Sequence, residues 1–130
     1  MQFSDGSFKF VQFYLINSVF DKSAKASALN IINSTGKFGC HVCLQEGESI
    51  RTFNGGHVVL YKYNNDKPKG TPRKDSTYLS DVNNAIINNK PVNGIKGLCT
   101  LNYLKFYRPL GCTNIDYMHS VVEGVYRFIN

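Results

Sequence analysis

The sequence predicts a mixed α/β (α+β) domain, and three features predict it. Residues 8–20, FKFVQFYLINSVF, are dense in aromatic and β-branched side chains with few polar interruptions, the composition of a central strand buried on both faces. Residues 76–88 place Tyr78, Val82, Ala85 and Ile86 on one helical face and Asp81, Asn83 and Asn84 on the other. Between these segments a GCHVC turn carries Cys40 and Cys43. With 130 residues and 42% hydrophobic content, the chain can fill one core but hardly two.

In chain order, the apolar strand ends at Asp21. A helix is expected next in SAKASALNII, with Ser23 as its cap and Ala24, Ala28 and Ile31 or Ile32 at helical spacing. Residues 33–39 carry Ser34, Thr35 and Gly36 and must turn, delivering the chain to the cysteine pair with Gly39 beside Cys40. A short strand over residues 57–63 follows, then a loop, then the amphipathic helix. Residues 93–97, NGIKG, form a two-glycine turn, and LCTLNYLKF after it is a short apolar segment of either type. Asn114 is expected to cap a final helix in which Met118, Val122, Val125 and Ile129 form a stripe. There is no internal repeat.

Fifteen Lys and Arg against nine Asp and Glu leave a net charge of +6, a basic excess suited to a polyanionic partner and common in soluble proteins as well. The densest basic stretch holds Lys62, Lys67, Lys69, Arg73 and Lys74 among Pro68, Pro72, Gly70 and asparagines, which predicts a solvated loop. These five side chains are candidate contacts to a phosphate backbone, positioning a nucleic acid without reading it. The opening MQFSDGSFKF lacks a basic start and long apolar run, and no window reaches the roughly 18 apolar residues of a membrane span. An intracellular protein is expected, nuclear if it binds DNA. Its four cysteines are then thiols or metal ligands rather than disulfides.

A C-x-x-C pair on a glycine-bearing turn brings two sulfurs to one tetrahedral ion, with zinc the default for such ligands. It supplies half a site. The other candidates are Cys99, Cys112, His41, His57 and His119, none at a second metal-type spacing. Two alternatives stand beside zinc: a redox pair, although the motif does not open a helix after a strand, and structural cysteines with no metal. Asp21, at a strand end, is a catalytic position in open α/β sheets, though such an Asp is more often a helix cap or a salt-bridge partner. Asp116 and His119 in DYMH are helix neighbours, compatible with a carboxylate orienting an imidazole or with an acid favoured by the helix dipole.

Taken together, DKSAKASALNIINSTGKFGCHVCLQEGE, NGIKG and DYMHSVVEGV resemble the central part of CACTA-like transposases, enzymes of cut-and-paste DNA elements. The resemblance spans about residues 11–125 and rests on the order, gaps and local letters of those three segments. It implies a ribonuclease-H-like core in which three acidic residues hold two Mg2+ ions for DNA cleavage and strand transfer. Asp21 matches the family's second catalytic acid. Cys40 and Cys43 match its CxxC pair, implied to bind zinc with histidines far downstream, and Asp116 and His119 match its D-x-x-H motif.

The resemblance also implies departures. The first acid would precede Met1 and the third would follow Asn130, so the expected molecule is a fragment over residues 1–130. Residues 1–32 would belong to the ribonuclease-H-like core and residues 33–130 to a zinc-knuckle-bearing CxxC/DYMH insertion. Ser23 stands where the family commonly has proline, and Glu123 where it has an apolar residue. The implied function is a transposase fragment inactive by itself. The reading that competes with it is a small zinc-binding module for nucleic acid, with Cys40 and Cys43 completed by two of Cys99, Cys112, His57 and His119.

Overall fold

The computed structural model of the chain describes residues 10–66 and 70–118. They form a mixed α+β structure of two helices and two small sheets. The elements are β1 (Ser18–Phe20), α1 (Lys22–Ala28), β2 (Glu48–Arg51), β3 (His57–Leu60), α2 (Asp75–Asn88) and β4 (Thr113–Ile115), with a 3-10 turn at Thr100–Tyr103. β1 and β4 pair in parallel, and β2 and β3 form an antiparallel hairpin.

Of the long central strand expected over residues 8–20, residues 8 and 9 lie outside the described residues, and residues 10–17 are not strand. Only Ser18–Phe20 is strand, and the residues just before it are exposed, Phe10 at 102% and Phe13 at 90%. Aromatic density marks apolar surface, but a strand needs a paired neighbour, and β4 is short. α1 is capped by Asp21, whose Oδ1 accepts the Ala24 amide at 2.7 Å, rather than by Ser23. The helix ends at Ala28 because Asn30 turns left-handed with φ 50°, and Asn89 ends α2 in the same way with φ 48°. Asn114, expected as a helix cap, lies within β4, where its side chain donates to Asn17 Oδ1 at 2.7 Å. Of the final helix expected after it, residues 119–130 lie outside the described residues.

The core lies between α1, α2 and the turn at residues 93–97. Leu29, Ile31, Val82 and Ile95 are almost fully enclosed with Ala26 and Tyr78 around them. Each large aliphatic chain contributes roughly 1.5–3 kcal/mol by leaving water. Ile31 bridges Ile95, Ile32 N donates to Gly94 O at 2.7 Å, and Lys96 N donates to Asn30 O at 3.0 Å, so the segment after α1 is stitched to that turn. Gly94 has φ 81°, and a side chain there would run into the Phe38 carbonyl. The core therefore draws on both sides of residue 32. On α2, Tyr78, Val82 and Ala85 face inward as expected, whereas Ile86 is 54% exposed. Among the described residues no helix is long and apolar enough to cross a membrane.

β1 and β4 are tied by a hydroxyl chain. Ser18 and Thr113 stand opposite one another in register, and the buried Tyr107 hydroxyl bonds both Ser18 Oγ and Thr113 Oγ1, the latter at 2.7 Å. Ser18 N adds a bond to Cys112 O at 2.9 Å. Tyr107→Phe removes the centre of this chain and leaves two hydroxyls short of a partner. The expected cost is about 1–3 kcal/mol in urea unfolding, against less than about 0.5 kcal/mol for Tyr117→Phe at an exposed position.

Candidate functional site

Two clusters of chemistry-bearing residues are built on this frame. The first is the cysteine loop. Gly39 enters it where a side chain would collide with the Asn33 carbonyl. The Cys43 amide donates to Cys40 Sγ at 3.4 Å, which folds the pair into one turn with the sulfur of Cys40 turned toward the second cysteine. Cys43 then bridges Pro72 in antiparallel fashion, with Leu44 N donating to Thr71 O at 2.7 Å and Arg73 N to Val42 O at 2.8 Å. The pair opens no helix, the next element being β2.

Arg73 fastens this loop. Its Nε donates to Cys40 O at 2.8 Å and its Nη2 to Phe38 O at 3.0 Å, and the side chain is half-buried. The basic segment after β3 thus differs from the solvated loop expected there, because Arg73 spends its guanidinium on carbonyls of the cysteine turn. Of the other proposed phosphate contacts, Lys62 pairs with Glu48 at 2.5 Å and Lys74 stands exposed at the N-terminus of α2. Lys67 and Lys69 lie outside the described residues.

Electrostatics converge on Cys40. Burial lowers the Lys25 pKa, and the Cys40 thiol opposes that shift. Burial also lowers the pKa of Arg73, with Cys40 first among the groups that raise it. Burial pushes the Cys43 thiol up, and a hydrogen bond and negative charge from Cys40 push it further. Two adjacent thiolates repel one another unless a cation joins them. His41, buried between the cysteines in sequence, is pushed down to about 4 by burial first and then by Lys25 and Arg73, while a bond to the Thr113 backbone works against the shift. His41 is therefore a neutral brace between the cysteine loop and β4.

The second is a pair of aspartates that the strand register sets at one edge and that sequence reasoning did not bring together. The parallel register matches Phe20 with Ile115, so Asp21 and Asp116 are the next residues of two adjacent strands, at the same carboxyl-terminal edge. Asp116 N donates to Phe20 O at 3.2 Å, which extends the pairing to the edge itself. Neighbouring strands run about 4.8 Å apart. Each carboxylate is oriented by the chain that follows it, Asp21 by the Ala24 amide and Asp116 by the Met118 amide at 2.9 Å. The signal available in the sequence was slight: a large apolar residue directly before Asp in each segment, Phe20 in SVFD and Ile115 in TNID.

The remaining candidates are dispersed. Cys99 is buried with its sulfur on Asn102 Oδ1 at 3.1 Å and near Tyr78, and Cys112 Sγ accepts the Arg108 amide at 3.4 Å. His57 lies exposed on β3, and His119 is outside the described residues. Among the described residues no three His, Cys, Asp or Glu side chains form a metal-binding group.

No family model, curated protein or solved structure matches this chain. The two clusters therefore carry the functional argument on their own chemistry.

The neutral His41 makes acid stability diagnostic. Its folded pKa of about 4 lies below the unfolded value of about 6.5, so between those limits the unfolded chain takes up a proton that the folded chain refuses. Its contribution is complete above about pH 6.5 and is lost progressively down to about pH 4. In metal-free protein, His41→Gln is expected to flatten the pH dependence of unfolding in that window, read by urea titrations at successive pH values.

Proposed function

We propose that this chain derives from a cut-and-paste DNA transposase with a ribonuclease-H-like core, in which Asp21 and Asp116 share a divalent cation and Cys40 and Cys43 supply half of a zinc site. The observation that carries this reading is the parallel register that sets two aspartates side by side at the ends of adjacent strands. Sheets of this kind collect their reactive groups at that edge. Oxygen donors from one or two carboxylates are the usual protein share of a Mg2+ site, the rest coming from water and substrate phosphate. An ion bound there supplies charge stabilisation to the attacking and leaving oxygens of a phosphodiester.

This reading revises the role of DYMH. Asp116 becomes a partner of Asp21, the acid pair belongs to one edge, and the chain brings two carboxylates rather than one. Strand transfer in the resembled family uses three, so catalysis is expected to require an acidic group beyond those described. The donor set at the cysteine loop suits zinc: two thiols in one turn, with the cationic Lys25 and Arg73 nearby. The competing closed zinc module has less support, because Cys99 and Cys112 are bonded elsewhere and His57 is on an exposed strand.

Two measurements test the two metals separately. Terbium is a hard, oxygen-seeking probe, and Tyr117 beside Asp116 is a natural sensitiser. Tyrosine-sensitised emission is expected for the parent and is expected to be displaced by Mn2+. It should fall sharply in Asp21→Asn and in Asp116→Asn, which keep the amide-accepting oxygen and remove only the charge. Emission unchanged in both variants removes the carboxylate site.

Zinc content of purified protein tests the thiols. Zinc is expected to be lost in Cys40→Ser and Cys43→Ser and retained in Cys99→Ser and Cys112→Ser. Retention in the first pair and loss in the second reverses the assignment.

A further inference from the structure

The β2–β3 hairpin has a feature neither cluster uses. Its tip, residues 52–56, is closed by Thr52 N donating to Gly56 O at 2.7 Å, and it holds up Phe53, a fully exposed residue (106%). Isolated apolar residues on a surface are ordinary. The setting of this one is not, because the first rung below it pairs Arg51 directly with His57, two donors opposite one another with no acid joined to Arg51 among the described residues.

Directly opposed side chains share one face of a hairpin, within about 4.5–5.5 Å at their Cβ atoms. Lower down, charge is settled internally, Lys62 with Glu48 and Lys37 with Glu46. Among the described residues, the Arg51–His57 rung is in no ion pair.

The base of the hairpin is firmly held. The Tyr61 hydroxyl accepts the Gly39 amide at 3.1 Å and donates to the Gly36 carbonyl at 2.5 Å, and Gln45 Nε2 donates to Lys62 O at 2.8 Å. A rigid arm thus presents an aromatic ring and two cationic or donor groups to solvent.

We infer that this hairpin is a contact for single-stranded nucleic acid, with Phe53 stacking on a base and Arg51 and His57 engaging the adjoining phosphate. An aromatic platform beside basic side chains is how proteins hold unpaired strands without reading sequence. The chain's net charge of +6 favours the same polyanion. The inference rests on the reading of a nucleic-acid partner but requires neither metal.

Fluorescence anisotropy with a labelled oligothymidine and a labelled duplex, at several salt concentrations, tests it on the full chain. The parent is expected to prefer the single strand. Phe53→Ala is expected to weaken that binding roughly tenfold or more with its salt slope unchanged. The double variant Arg51→Gln, His57→Gln is expected to flatten the salt slope. The Phe53 effect is expected to persist in Cys40→Ser and Asp21→Asn, so this contact and the metal sites fail separately. Phe53→Ala binding within twofold of the parent overturns the inference. So does a parent that binds no oligonucleotide at low salt, an outcome that would make the tip a protein contact, and so does a preference for duplex that Phe53→Ala leaves untouched.

Discussion

The arrangement of this protein depends on the parallel pairing of β1 with β4. A two-stranded parallel pair is among the weaker units of protein structure, since its slanted hydrogen bonds are few and each strand has an open edge. Here three rungs carry it, from Ser18 opposite Thr113 to Phe20 opposite Ile115. The Tyr107 hydroxyl makes up part of the deficit by joining the two hydroxyls of the first rung in a buried site, where a satisfied polar chain is worth keeping and a broken one is costly. Everything at the opposite end of the pair follows from that registration. A slip by one residue would separate Asp21 from Asp116 and Ser18 from Thr113 and Tyr107 together.

A second constraint acts from the cysteine loop. Arg73 is half-buried and bonded to two carbonyls of that loop, a costly use of a charge unless its donors are met, as they are here. It orders the turn that carries Cys40 and Cys43. His41 in the same turn reaches the Thr113 backbone, so the loop that would hold a soft metal also steadies the strand whose end carries Asp116. Ligand softness keeps the two chemistries apart: thiolates select zinc, while carboxylates favour magnesium and manganese.

What the sequence made legible was governed by range. The helix over α2 was readable because its apolar stripe repeats within a few turns, and the turn at residues 93–97 because glycine and asparagine announce positive φ. Asp21 was recognised as both cap and strand-end acid, and both descriptions hold locally, since it caps α1 and ends β1. The pairing of Asp21 with Asp116 was not readable. It arises from contact between strands of three residues each, far apart in the chain, and a strand that short has no periodicity to detect. TNID, followed by DYMH, instead imitated a helix start. Arg73 was hidden for a related reason, because a basic residue between prolines and glycines looks solvated until the facing carbonyls are known.

The misread segment at residues 8–20 bears on the proposed descent. Its aromatic and β-branched letters are those of an interior strand, yet Phe10, Phe13 and Ile16 stand exposed ahead of a strand only three residues long. Leaving such side chains in water forfeits roughly 1.5–3 kcal/mol apiece relative to burial, an expense that a sequence selected to fold in this form alone could have avoided with polar residues. A ribonuclease-H-like core would use that surface, because its central strands are covered on both faces and paired along their length. On the proposed descent, the acid at the end of the strand and the apolar run before it would have one explanation, as the inner edge of such a sheet. Asp21 meets Asp116 at one end of β1, and the exposed aromatics lie at the other end.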